Sequence, residues 1–157
     1  MPDGLYEQDS LAWSDRQAAL LRRLAAGEGV NEAIDWPHVI EEVQDVGLSE
    51  LRAVESLLEQ AIKHLLKAHA WPASRSNDHW IDEAGTFLDD ARRRYTASMR
   101  QRIDLPGLYA TAFLRVLATK DDSGTRNSFP SPCPFTLSDL LAADIPALLE
   151  KLSAGER

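Results

Sequence analysis

The segment from Trp36 to Trp71 reads as α-helix over almost its whole length, and it constrains the fold more than any other part of the chain. In its second half, apolar residues step by three and four: Leu51, Val54, Leu58, Ala61, Leu65 and Ala68. Residues at this spacing lie on one helical face. Further apolar residues give that face the breadth of a core helix: Leu57, Ile62 and Leu66. The pattern predicts a core helix from Glu50 to about Ala70.

Gly47 is the one interruption in this segment, and we expect it to stop or kink the helix. The first half is then a helix of its own, with Asp35 as its N-cap and Pro37 in its first turn. Ser49 can cap the helix that follows. The expected inner face of the first-half helix consists of four apolar residues: Val39, Ile40, Val43 and Val46.

Helical patterns also flank this segment on both sides. A first helix is expected from about Leu5 to Ala26. Later helices are expected after the polar turn 74–77, with an apolar stripe from Ile81 to Met99, and then after Asp104, after the capping residue Thr136 and from Asp144. The loop 121–135 is rich in proline, and no segment reads as a strand. The predicted fold is a single all-α domain over residues 1–157, a bundle of about five main helices plus one or two short C-terminal helices.

A short turn near Ser74 joins two of these helices, so we expect them to pack antiparallel. Folding the chain about residue 74 pairs positions whose numbers add up to about 148. The pairs this predicts are His64 with Ala84, Lys67 with Ile81, and Glu55 with Arg93.

The net charge of −8, from 25 acidic and 17 basic residues, excludes some partners. Nucleic acids and anionic membranes both require a basic face, so we expect neither as a partner. No apolar run approaches the roughly 20 residues that cross a bilayer, and the acidic N-terminus does not read as a secretory signal. Cys133 is the only cysteine, which rules out an intrachain disulfide and favours the cytoplasm.

Several short motifs occur in an order that resembles the domain-of-unknown-function family 29, a bacterial and mainly cyanobacterial group. The matching segments are Leu5-Tyr6-Glu7-Gln8-Asp9 with Trp13, Asp35-Trp36, Ile40-Glu41-Glu42-Val43, Gly47-Leu48-Ser49-Glu50, His64-Leu65-Leu66-Lys67, Trp80, Asp104-Leu105-Pro106-Gly107-Leu108, and Phe129 to Phe135. The resemblance covers nearly the whole chain and implies an all-helical fold. It implies no particular activity, because the family is named for lacking one.

His64 is the strongest candidate site residue, because it lies at the border of the apolar stripe. Lys67 and Trp71 share its side of the helix, and Trp80 follows on the next one. These residues predict either a pocket with His64 as a general base or a packed structural histidine.

The other ionisable candidates read mainly as structural residues. Glu55 lies inside the apolar arc and needs a partner, for which Arg92 and Arg93 on the next helix are suited. Glu42 lies at the border of its helix. It would be about 33 Å from His64 on a continuous helix and roughly 18 Å away if Gly47 reversed the chain, so we expect no shared metal site.

Cys133 lies between two prolines just before a helix, and it is a candidate for either loop packing or nucleophilic chemistry. His38, His64, His69 and His79 are possible bases for it, but no motif places any of them. We expect no cofactor and no metal.

These observations predict a helical protein-interaction module that acts without catalysis. Self-association is one form of it, with Ala70 and Trp71 extending past the core stripe, and an antitoxin-like partner of a small basic protein is another. The alternative is a small hydrolytic enzyme with its pocket around His64.

Overall fold

The structure is a computed structural model that describes residues 4–155. Seven α-helices follow one another in this part of the chain: α1 (Leu5–Gln8), α2 (Ser10–Ala25), α3 (Trp36–Ala70), α4 (Asn77–Arg94), α5 (Leu105–Leu117), α6 (Leu137–Ala142) and α7 (Ile145–Ala154). Two single 3-10 turns lie at Asn31–Ala33 and Ala97–Met99. No strand occurs among residues 4–155, and the prediction of an all-α fold is confirmed.

The predicted break at Gly47 is wrong, because α3 runs without interruption from Trp36 to Ala70. Glycine costs a helix only about 1 kcal/mol relative to alanine, and a helix of 35 residues can absorb that cost. The predicted first helix, in contrast, is broken. Asp9 leaves the helical conformation at φ −153° and ψ 86°, and its carboxylate accepts a hydrogen bond from the backbone N–H of Ala12. Asp9 therefore ends α1 and caps α2.

The C-terminal helices begin where their capping residues predict. Asp104 and Asp144 accept hydrogen bonds from Gly107 N and Ala147 N at the starts of α5 and α7. Thr136 and Asp139 form a reciprocal capping box at the start of α6. The predicted stripe of the fourth helix ends early, however, because Tyr95 is extended and the buried Met99 lies in a 3-10 turn.

The chain groups into two compact units, Met1–Ser49 and Glu50–Arg157, and α3 contributes to both. The core of the second unit contains the predicted α3 stripe together with residues of α4 to α7. Its largest fully buried side chains are Val54, Leu58, Ile62, Leu65, Leu66, Leu88, Tyr109, Val116, Leu140, Leu148 and Leu152. The organisation of the chain as one domain stays a prediction.

Within the second unit, α3 and α4 pack antiparallel, as expected. The ring centroids of His64 and Phe87 are 5.4 Å apart, and Glu50 lies 3.9 Å from Arg94. Lys67 Nζ lies 5.7 Å from the centre of the Trp80 ring. These pairs agree with the predicted register to within about one helical turn.

The loop 121–135 is irregular, as predicted, and it covers the C-terminal end of α3. Asn127 donates a backbone hydrogen bond of 2.8 Å to Ala70 O and a side-chain hydrogen bond of 3.1 Å to His69 O. These donors satisfy carbonyl groups that the last turn of a helix leaves without partners.

Candidate functional site

His64 is half-buried against Phe87, and its tautomer follows from its hydrogen bond. Nδ1 lies 2.7 Å from the carbonyl oxygen of Gln60. A carbonyl oxygen can only accept, so Nδ1 carries the proton and Nε2 is the basic nitrogen of the neutral ring. Burial lowers the pKa of His64 below its ordinary value, and the positive charges of Lys63 and Lys67 lower it further. The histidine is therefore neutral at pH 7.

Trp80 contacts both of the other residues predicted to share a pocket with His64, namely Trp71 and Lys67. Trp71 and Trp80 are both buried, and their ring centroids are 6.1 Å apart. Lys67 extends over the Trp80 ring, a cation–π arrangement that stabilises the charged amine. Burial nevertheless lowers the pKa of Lys67. The self-association surface expected at Ala70 and Trp71 is absent, since both side chains lie in the core with 0% and 4% exposure.

Arg92 and Arg93, the partners predicted for Glu55, both make other contacts. Arg92 donates hydrogen bonds of 3.1 and 2.7 Å to the carbonyl oxygens of Leu140 and Ala143 at the end of α6. Arg93 pairs with Asp90 on its own helix. Glu55 lines a shallow groove of about 290 Å³ together with Arg52, Glu59 and Arg115. Arg92 therefore binds α6, and Arg93 binds a residue of its own helix. Helix periodicity alone does not specify these contacts.

Cys133 lies half-buried in the loop, where its thiol donates to the carbonyl oxygen of Phe135 at 3.5 Å. Burial raises the pKa of the Cys133 thiol above its ordinary value. A reactive cysteine has the opposite shift, because the thiolate is the nucleophile. The geometry therefore favours loop packing for Cys133 over nucleophilic chemistry.

The first unit contains a polar network that the sequence did not reveal, centred on Asp35 at the start of α3. The Asp35 carboxylate accepts hydrogen bonds from Trp13 Nε1 at 3.0 Å and from His38 Nδ1 at 2.7 Å. The backbone N–H of Asp35 donates to Gln17 Oε1 at 2.9 Å, which satisfies a buried glutamine. Helix α2 is therefore joined to the start of α3 through both the carboxylate and the backbone N–H of Asp35.

The electrostatics of this network favour an ionised pair. The hydrogen bond to Asp35 raises the pKa of His38 above its ordinary value, against the opposing effect of desolvation. Burial alone would raise the pKa of Asp35, but hydrogen bonds from His38 and Trp13 outweigh burial and lower it. Nε2 of His38 lies 3.8 Å from Glu7, a contact that a protonated imidazole prefers. Asp35 thus favours the charged form of His38.

Tyr6 connects α1 to the same network. Its ring stacks on His38 with centroids 3.9 Å apart, and it meets Trp13 edge-on at 4.9 Å. The Tyr6 hydroxyl donates a hydrogen bond of 2.6 Å to Glu42, which raises the pKa of Tyr6 to about 12. Glu42, predicted at the border of its helix, therefore serves to hold α1.

This network contains residues from three of the segments that carry the family resemblance, which start at Leu5, Asp35 and Ile40. From the sequence, His38 is predicted only as a possible base for Cys133, and no motif places it near another residue. One local signal could have placed it, since Asp35 and His38 are three residues apart at the start of a helix, a spacing that brings two side chains together. The contacts to Tyr6 and Trp13 depend on the tertiary fold. No group of residues suited to hold a metal ion occurs among residues 4–155.

An apolar surface on the first half of α3 is the other prominent feature of the first unit. The side chains of Ile40, Val43 and Val46 are 55%, 69% and 71% exposed. The sequence prediction that they form an inner face is therefore wrong, because no element between residues 4 and 49 covers them. Steps of three residues spread them over about 120° of one side of the helix. We call these three residues the Ile40–Val46 face.

The fold defines an all-α protein. A family model described as "Domain of unknown function DUF29" matches residues 5–145, and the chain belongs to this family. Its fold is similar to the crystal structure of an alpha-helical protein of unknown function from Rhodospirillum rubrum, with a TM-score of 0.71 and 25% sequence identity. The alignment covers 94% of this chain and 96% of the other. No curated protein matches the chain. None of the described helices is both long and apolar enough to cross a membrane.

Proposed function

We propose that this chain is a cytoplasmic protein-interaction module that binds a protein through the Ile40–Val46 face. The exposure of this face supports the proposal, since Val43 and Val46 leave about seven tenths of their surface in water. Burying a valine or isoleucine side chain contributes about 1.5–3 kcal/mol, so covering three of them on a rigid helix stabilises a complex. Contiguous exposed apolar side chains mark interaction sites more often than scattered ones do.

Other exposed apolar residues make weaker candidates. Leu114 and Leu117 on α5 are 65% and 40% exposed, and Leu11 on α2 is 71% exposed. The Ile40–Val46 face has three members on one helix, while these smaller sites have one or two. Leu114 therefore provides a matched control, an apolar side chain of similar exposure outside the proposed binding face.

The test is a capture experiment from an extract of the native host with three tagged baits. The baits are the wild-type chain, Val43→Glu and Leu114→Glu. Val43→Glu places a charge in the centre of the proposed contact, where burial without a partner is costly. We expect a protein that is retained by the wild-type and Leu114→Glu baits and lost from Val43→Glu. Equal retention by all three baits, or no capture by any, would overturn the proposal.

The identity of the captured protein separates two forms of this function. Recovery of the untagged chain indicates self-association. Recovery of a small basic protein indicates the antitoxin-like form, for which the net charge of −8 is the supporting observation.

A second candidate function is a small hydrolytic enzyme at His64. The observation in its favour is the oriented neutral imidazole, in which the hydrogen bond to Gln60 leaves Nε2 as the base. Its test is the hydrolysis of a panel of chromogenic esters by the wild-type chain and by His64→Gln. Turnover that His64→Gln abolishes would support the enzyme, and absence of turnover in the wild-type chain would contradict it.

A further inference from the structure

We infer that the occupant of the Ile40–Val46 face is the same face of a second copy of the chain. This inference rests on the proposed function and adds the identity of the partner. It follows from the positions of charged and uncharged residues around the first half of α3.

The first half of α3 carries a heptad pattern from Trp36 to Gly47. Trp36, Ile40, Val43 and Gly47 are spaced by four, three and four residues. This is the spacing of the a and d positions of a coiled coil, with Ile40 and Gly47 at a and Trp36 and Val43 at d. Val46 stands at the neighbouring g position and widens the stripe. Two copies of this helix can therefore pack their stripes against each other.

The distribution of charge favours a second copy over a partner of opposite charge. In this heptad register, Glu41, Glu42 and Asp45 occupy positions b, c and f, which point away from a helical partner. The flanking e and g positions are filled by residues without charge: Pro37, Val39, Gln44 and Val46. Charges at e and g select the partner of a paired helix. Carboxylates at these positions would repel each other between two copies of the chain, so uncharged residues there favour pairing of identical helices.

A basic partner would require the opposite arrangement. Recognition of lysine and arginine side chains depends on carboxylates at the rim of the contact. On α3 the carboxylate of Glu42 accepts a hydrogen bond from the Tyr6 hydroxyl, so Glu42 already has a partner in its own chain. The side of α3 that is open to a partner is apolar and uncharged, which suits an identical surface.

Gly47 allows the two helices to approach closely at one end of the stripe. Apart from its two chain neighbours and the adjacent backbone of its own helix, no atom of residues 4–155 lies within 4 Å of the place where a β-carbon of Gly47 would stand. The next d position is occupied by the charged residue Glu50, so the apolar stripe ends after Gly47. The Glu50 carboxylate lies 3.9 Å from Arg94. The contact spans about 16 Å of helix. Such a short contact predicts a reversible dimer with a Kd on the order of micromolar.

The test is sedimentation equilibrium of the purified full chain over a wide concentration range, with Val43→Glu and Leu114→Glu as the variants. We expect a dimer for the wild-type chain and for Leu114→Glu, and a Kd at least tenfold higher for Val43→Glu. The far-ultraviolet circular dichroism of the variants should equal that of the wild type, because Val43 and Leu114 are 69% and 65% exposed and carry little of the core.

A wild-type chain that stays monomeric at all concentrations would overturn the inference, as would a dimer that Val43→Glu leaves intact. If the purified chain is monomeric while the host extract yields a partner lost with Val43→Glu, the inference fails and the proposed function stands. If Val43→Glu changes neither the sedimentation result nor the capture from the host extract, both the inference and the proposed function fail.

Discussion

Tyr6 lies almost parallel to His38, with their ring planes 17° apart and their centroids separated by 3.9 Å. Through this contact the short helix α1 rests on the start of α3. The imidazole is also hydrogen-bonded to Asp35, so one histidine joins aromatic packing to an ion pair. The arrangement predicts that the stability of the first unit depends on the protonation of His38.

The pH dependence of this contribution has a definite sign. The pKa of His38 is raised in the folded chain, so its contribution is complete below the unfolded value of about 6.5. It is lost as the pH rises through the raised pKa. Glu7 and Glu41 also favour the charged ring. We expect the Tm difference between the wild type and His38→Phe to be largest below about pH 6.5 and to shrink above it.

Thermal denaturation of both proteins across this pH range gives the measurement. The His38→Phe substitution preserves an aromatic ring against Tyr6 and removes the titrating group, so the remaining histidines cancel in the difference. A Tm difference that does not change with pH would show that His38 contributes through packing alone.

Asp35 stands at the N-cap position of α3, where its carboxylate accepts from the backbone N–H of His38 and from two side chains, and its removal should destabilise the chain. We expect Asp35→Ala to lower the free energy of unfolding by about 1–3 kcal/mol, because the cap and the bonds from Trp13 and His38 are lost together. Asp35→Asn can still cap the helix but cannot pair with a charged His38, so its loss should be smaller. Urea denaturation of the three proteins measures the order, and equal losses for both variants would contradict the role of the carboxylate charge.

Gly47→Ala should stabilise the helix that the sequence predicted to break there. The position is helical and has room for a β-carbon, so alanine should add about 0.5–1 kcal/mol to the free energy of unfolding. The comparison is made in a Val43→Glu background, which separates helix stability from pairing between copies. A lower Tm for the alanine variant would indicate that the helix does not continue through Gly47.

Arg92 and Arg93 are adjacent in sequence but differ in their contacts. Arg92 donates to the carbonyl oxygens of Leu140 and Ala143, whereas the side chain of Arg93 is 72% exposed beside Asp90. We expect Arg92→Ala to cost about 1.5–3 kcal/mol and Arg93→Ala less than about 0.5 kcal/mol. Chemical denaturation measures both, and similar losses would contradict the anchoring of α6 by Arg92.

The parts of the fold that depend on local sequence were predictable. Leu58 and Leu65 repeat at helical spacing, and both are fully buried. Thr136 and Asp139 cap α6 because the capping box depends on four consecutive residues. The antiparallel register of α3 and α4 followed from the short turn between them.

The remaining features depend on tertiary contacts that periodicity cannot supply. The pattern at Ile40 and Val43 shows that one side of the helix is apolar, but it does not show whether anything covers that side. The hydrogen bond from Trp13 to Asp35 joins residues 22 positions apart, and no local motif specifies it. The helix continues through Gly47 because the low helix propensity of one glycine costs little in a helix of 35 residues.

The most direct test of the proposed binding face is the rate at which a cysteine at position 43 reacts with a maleimide. The measurement uses Val43→Cys in a Cys133→Ser chain, with Leu114→Cys in the same background as the control. Each protein is labelled in dilute solution, at high concentration, and in host extract cleared of small thiols. If a partner covers the Ile40–Val46 face, labelling of Val43→Cys is severalfold slower at high concentration or in the extract than in dilute solution. Labelling of Leu114→Cys does not slow. Equal rates for Val43→Cys under all three conditions would contradict the account.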